Sequence, residues 1–119
     1  MDRKDEEILQ QAQLYSQQIQ NIMAQKTAMI LELNEVKKSL EELNKTEEKD
    51  VYKLSGHILI KIDREKAKKD LEDKKETLEL RIKTLERQEE RLKEKLEEFR
   101  TKLIKVKDIN SSKKSPEEE

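Results

Sequence analysis

The sequence predicts a mostly α protein: an antiparallel two-helix coiled-coil hairpin with one β-hairpin inserted at the turn, the β-hairpins of several chains assembling into a shared β-barrel. Three observations carry this. Apolar residues recur in alternating steps of four and three in each half of the chain, and a β-branched stretch surrounds the single glycine between the halves. Charged residues make up 46% of the chain and aromatic ones 3%, which leaves too little apolar bulk for one large core.

The first helix is expected at about 5–44. Its seam runs through Ile8, Ala12, Tyr15, Ile19, Ile22, Lys26, Met29, Leu33, Val36, Leu40 and Leu43. The second, at about 63–108, repeats the pattern through Leu71, Lys75, Leu78, Ile82, Leu85, Glu89, Leu92, Leu96, Phe99, Leu103 and Val106, with Glu, Lys, Arg and Gln beside it. Each seam covers about five heptads, roughly 50 Å at the helical rise. Equal seams suit two helices zipped antiparallel along their length. With Leu43 beside Leu71, Lys26 falls close to Glu89, either as an ion pair that fixes register or as two long side chains leaning out to water. Asp63 suits the N-cap of the second helix, with Glu65 in its first turn where the helix dipole favours acid.

The interval between Leu43 and Leu71 far exceeds the roughly 2 to 8 residues that join packed helices directly. Something occupies the turn, and "DVYKLSGHILIKID" is its sequence. Strands are expected within about 50–62, Val51 to Leu54 and Ile58 to Ile62, with Ser55-Gly56 between them where a tight turn needs tolerance of positive φ. Alternation places Ile58, Ile60 and Ile62 on one face. A lone two-stranded hairpin is marginal in water and leaves two edges unpaired. Either it folds back on its own helices, or hairpins of several subunits pair into a common sheet or barrel. The second outcome makes it an assembly module of Val51, Tyr52, Leu54, Gly56, Ile58, Ile60 and Ile62.

Composition excludes several functions. Positive and negative residues nearly cancel, at a net charge of -1, and the apolar residues are periodic, so the chain is not expected to be disordered as a whole. Lys and Arg alternate with Glu, without the concentrated basic face that nucleic acid requires. No apolar run approaches the roughly 18 residues of a membrane span, and "MDRKDEEILQ" does not read as a signal peptide, so a cytoplasmic protein is expected with no membrane partner. The sequence has no Cys, and its only histidine, His57, sits beside the turn glycine as a turn or strand residue. No catalytic residue, metal site or cofactor is therefore expected. One glycine cannot build a phosphate-binding loop. The carboxylates of "ERQEERLKEKLEE" read as a solvated face with i, i+4 pairing. The protein is not expected to be an enzyme. The last stretch, 111–119, reads as a disordered tail beyond a single domain at 1–110.

Helix, β-hairpin, helix at these lengths resembles the beta subunit of archaeal prefoldin. The resemblance is carried by the hairpin pattern in "VYKLSGHILIK", by the heptads in "ETLELRIKTLERQEERL" and by the Gln-rich "LQQAQLYSQQIQNIMAQK", and covers roughly 8–105. It implies a hexamer of two alpha and four beta subunits joined through β-barrels built from these hairpins. It further implies an ATP-independent holdase chaperone that grips unfolded client proteins at coiled-coil tips and passes them to a group II chaperonin. The tips would carry Ile8, Leu9, Ala12, Leu14, Leu103, Ile104, Val106 and Ile109, each a client contact or an ordinary surface residue of a helix end. The acidic start "MDRKDEE" departs from the apolar, Pro-containing start frequent in that family, which makes this tip less adhesive or turns it toward basic clients. The rival reading is a structural or adaptor coiled coil that binds one folded partner. A third, a tRNA-binding helical arm, lacks its basic face.

Overall fold

A computed structural model describes the backbone of residues 2–118 and the side chains of residues 2–104. The elements follow in the order α1 (Arg3–Lys45), β1 (Asp50–Ser55), β2 (Ile58–Asp63) and α2 (Arg64–Glu118). Both helices are capped by aspartate. Asp2 accepts a hydrogen bond from the Asp5 backbone N–H at 2.9 Å, and Asp63 accepts one from Lys66 N–H at 3.3 Å. Each satisfies a donor that a first helical turn leaves orphaned, with acid in that turn complementing the helix dipole. The Asp63 cap is the expected one, whereas the Asp2 cap lies before the expected start of α1.

The helical backbone of α2 runs to Glu118, past the expected end near 108 and through most of the stretch read as a disordered tail. A heptad seam reports where a partner helix packs. It does not report where the backbone stops being helical.

Two strands make the sheet, antiparallel, with Val51 opposite Ile62, Lys53 opposite Ile60, Leu54 opposite Leu59 and Ser55 opposite Ile58. Ser55 thus closes β1, and the two-residue turn is Gly56-His57, one step later than the expected Ser55-Gly56. Gly56 has φ +60°, while no non-glycine residue among those described has positive φ. Positive φ at the first central residue alone is the type II′ arrangement, whose twist matches that of the strands. A Cβ at Gly56 would meet nothing within 4 Å, so the glycine is required by backbone conformation and not by space.

Contacts divide the chain into a central unit, Gln25–Thr84, and a terminal unit, Met1–Ala24 with Leu85–Glu119. In the central unit Leu33, Val36, Leu78 and Ile82 form the core, with Met29, Leu40 and Leu71 packed against it. Leu43 and Ala67 are buried as well. Full burial of such a side chain contributes about 1.5–3 kcal/mol, against a few tenths for an exposed helical ion pair, so the seam holds the helices together. The seam also extends further than the sequence suggested, because Arg64 and Ala67 continue its spacing ahead of Leu71. Arg64 Nε donates to the carbonyl of Leu43 in the last turn of α1 at 3.1 Å, and Arg64 N–H donates to the Lys49 carbonyl at 2.8 Å. One residue therefore ties the end of α1, the segment before β1 and the start of α2. Lys74 and Glu32 pair between the helices at 2.9 Å.

In the terminal unit Ile19 and Leu85 are buried, and Tyr15 stacks on Phe99. Glu89 is buried too, and it accepts an ion-paired hydrogen bond from Lys93, one turn on, at 2.8 Å. Lys26 and Lys75, the other polar seam residues, are half-buried. Every position assigned to the seams from Ile8 to Leu43 and from Leu71 to Leu103 is buried or half-buried. Val106 lies outside the described side chains.

Candidate functional site

The hairpin of the central unit is apolar on both faces. The register sets Val51, Ile58, Ile60 and Ile62 on one face and Tyr52, Leu54 and Leu59 on the other. Val51 and Ile62, at the base, are half-buried, but Tyr52, Leu54, Ile58, Leu59 and Ile60 are between 46% and 69% exposed. The hairpin therefore does not fold back on the helices, the first of the two outcomes its sequence allowed. A groove of about 880 Å³ runs between it and the helices, with Val36, Leu43 and Leu71 on the helical side and Tyr52 and Leu54 on the strand side.

Leu59 is the hairpin residue that sequence reasoning missed. The isoleucine stripe drew attention to one face, while Leu59 belongs to the other. A two-residue turn fixes Leu59 opposite Leu54, so the turn carried the missing signal. Lys61 pairs with Asp50 at 3.4 Å near the base, where charge replaces apolar contact. His57 occupies the second turn position, as expected of a structural residue.

The expected tip residues lie in the terminal unit and divide into two sets. Ile8, Ala12 and Leu103 are half-buried in the seam, where they pack between helices. Leu9, Leu14 and Ile104 are exposed on other faces of their helices. The side chains of Val106 and Ile109 lie outside the described residues. Next to this set the aromatic stack carries two cations: Lys95 Nζ is 5.8 Å from the Tyr15 ring centroid and Lys102 Nζ 5.6 Å from that of Phe99. A separate groove of about 460 Å³ runs between the helices of this unit, lined by Gln18, Asn21, Ile22, Gln88, Arg91, Leu92 and Lys95.

Among the described residues no helix is long and apolar enough to cross a membrane. Nor do three or more His, Cys, Asp or Glu residues among them gather where they could hold a metal ion. What the arrangement offers chemically is apolar strand surface and helix flanks.

Comparison with known proteins agrees with this architecture. The beta subunit of prefoldin from Thermococcus strain KS-1 superposes with a TM-score of 0.80 at 38% identity, over 88% of this chain and 93% of that one. The beta2 subunit of the same strain shares the fold, with a TM-score of 0.65 at 18% identity over 74% of this chain and 95% of that one. In sequence, the prefoldin beta subunit of Thermococcus onnurineus is 46% identical over 65 residues, 54% of this chain and 56% of the relative. That of Pyrococcus furiosus is 40% identical over the same shares. The chain thus spans little more than half the length of the curated relatives it matches. The prefoldin subunit family itself matches over residues 6–108, which takes in both seams and the hairpin. With two seamed helices, an exposed β-hairpin between them and this match across most of its length, the chain belongs to the prefoldin subunit family.

Proposed function

We propose that the chain is a subunit of a hexameric, ATP-independent holdase chaperone of two alpha and four beta subunits. It would capture unfolded proteins at its coiled-coil tips and deliver them to a group II chaperonin in the cytoplasm. The observation that carries the reading is the hairpin. Five large side chains stand exposed on its two faces, and each strand has one edge outside the pair. A two-stranded sheet is marginal alone. Partner hairpins that complete its ladder and cover its faces stabilise it by about 1.5–3 kcal/mol for each large side chain fully buried. Such partners are further copies of this chain and a related alpha subunit.

Client capture follows from placing several terminal units in one assembly. Each offers a few apolar residues, Leu9, Leu14 and Ile104 among them, whose individual contacts are weak. Several engaged at once hold a client through effective concentration. The test joins two measurements: the mass of the chain alone and with a co-expressed alpha candidate, and the turbidity of unrelated denatured proteins beside the resulting complex. Suppressed aggregation of several unrelated proteins by a hexamer supports the reading. A complex that protects none of them and binds one folded partner instead is an adaptor coiled coil.

A further inference from the structure

Charge is distributed unevenly between the helices of the terminal unit. From Ile8 to Leu31, α1 has no carboxylate, and from Ile8 to Gln25 it has no charge at all. Facing it, α2 places Lys95 and Lys102 on one line beside the seam and Lys93 and Arg100 on the other. Glu94, Glu97 and Glu98 fall at heptad positions away from both lines. From Leu92 onward, Lys and Glu that alternate along the sequence are therefore sorted on the helix, with cations next to α1, whereas before it Glu86 shares the line of Lys93 and the buried Glu89 lies in the seam, held by Lys93. In the central unit the corresponding Lys74 has Glu32 of α1 at 2.9 Å. In the terminal unit α1 has only glutamines on that line, Gln11 and Gln18, and Lys95 and Lys102 rest over aromatic rings.

We infer that the groove between these helices docks an acid-rich, extended segment of an unfolded chain. The inference rests on the proposed capture of clients by the terminal unit and names the class of segment held there. Three properties of the groove support it. Its floor is apolar, formed by the half-buried Ile22 and Leu92. Its rim carries the amides of Gln18, Asn21 and Gln88, which can both donate to and accept from an extended backbone. Arg91 and Lys95 supply cations for which α1 provides no carboxylate, and a ligand carboxylate would complement them. The acidic turn at the start of α1 ends at Glu7, more than two helical turns before Gln18, so it does not neutralise this groove.

Two labelled extended peptides test it, one apolar with three glutamates and one identical but with glutamines in their place. Both are titrated by anisotropy into the full-chain complex. The acidic peptide is expected to bind about fivefold more tightly at low salt, as one or two exposed ion pairs allow. High salt should abolish the preference. In Arg91→Gln/Lys95→Gln the ratio of the two affinities should fall to about one, and in Arg91→Gln alone, which keeps Lys95 on Tyr15, to an intermediate value. Equal affinities in the unaltered complex, or a ratio that survives the double substitution, overturns the inference while leaving client capture intact. Displacement of the acidic peptide by a single-stranded oligonucleotide at far lower concentration would make the groove a nucleic-acid site and overturn it too. If neither peptide binds, client capture fails and the inference falls with it.

Discussion

Tyr15 of α1 and Phe99 of α2 stack with ring centroids 5.5 Å apart and planes inclined by 23°. They are two of the three aromatic residues in the chain, and they meet where the helical seams of the terminal unit place them side by side. A stacked pair adds about 0.5–1.5 kcal/mol beyond area burial. In a double-mutant cycle with Tyr15→Leu and Phe99→Leu, followed by denaturant unfolding, the coupling should fall in that range. Strict additivity would mean that the rings only fill space.

Arg64 should matter more than an exposed arginine normally does. Its half-buried guanidinium donates to the Leu43 carbonyl, which would otherwise be one of the orphan acceptors at a helix end. Arg64→Ala should cost about 1.5–3 kcal/mol, the range for hydrogen bonds to charged groups. Hydrogen exchange should quicken in the last turn of α1 and in residues 46–50. A loss below about 0.5 kcal/mol, as for ordinary surface substitutions, would reduce the interaction to a surface contact.

Ile60→Asp and Leu59→Asp probe the two faces of the hairpin separately. Both should leave circular-dichroism helicity nearly intact, because neither residue packs in a helical seam. Burying an unpaired carboxylate in a shared sheet carries a large desolvation cost, so both should dissolve the oligomer in light scattering. Should Leu59→Asp keep its mass while Ile60→Asp loses it, the assembly covers the isoleucine face alone.

Removing residues 103–119 takes away Leu103, Ile104, Val106 and Ile109 and about one heptad of the seam. Oligomer mass should persist, since the hairpin is untouched. Protection of a denatured test protein should fall sharply, because contacts multiplied by valency are lost together. Altering only Glu117 to Glu119 should change little. Undiminished protection by the truncated chain would move client binding to the remaining helix surface or the hairpin.

The helical seams were legible in the sequence because a seam is a direct record of burial. Tyr15, Ile19, Val36 and Leu78 occupy the places their spacing assigned. The hairpin was legible through β-branched residues and one glycine. Its turn was set one residue early, because composition shows that positive φ is needed near Ser55 and Gly56 but not which residue takes the first central position. The second apolar face was missed for a related reason: which side chains share a face depends on the register that the turn imposes. Arg64 was illegible because its partner is a backbone carbonyl, which leaves no trace in side-chain identity. Three of the eight tip residues, Leu9, Leu14 and Ile104, could be named only because they break the seam pattern; the function of residues that break a pattern is not encoded in it.

A hairpin with one open edge on each strand is a bivalent unit. If copies join by these edges, each presents a fresh one, so local pairing strength says nothing about how many copies a particle holds. Particle size is decided by geometry. If strand twist brings the last edge round to the first, growth terminates in a ring of fixed number; if it does not, the same contacts propagate an open fibre. Under this arithmetic a related subunit with a slightly different edge acts as a counter as well as a binder, since it determines where the circle closes. Overproduction of the chain without such a counterpart would then yield polydisperse or filamentous material.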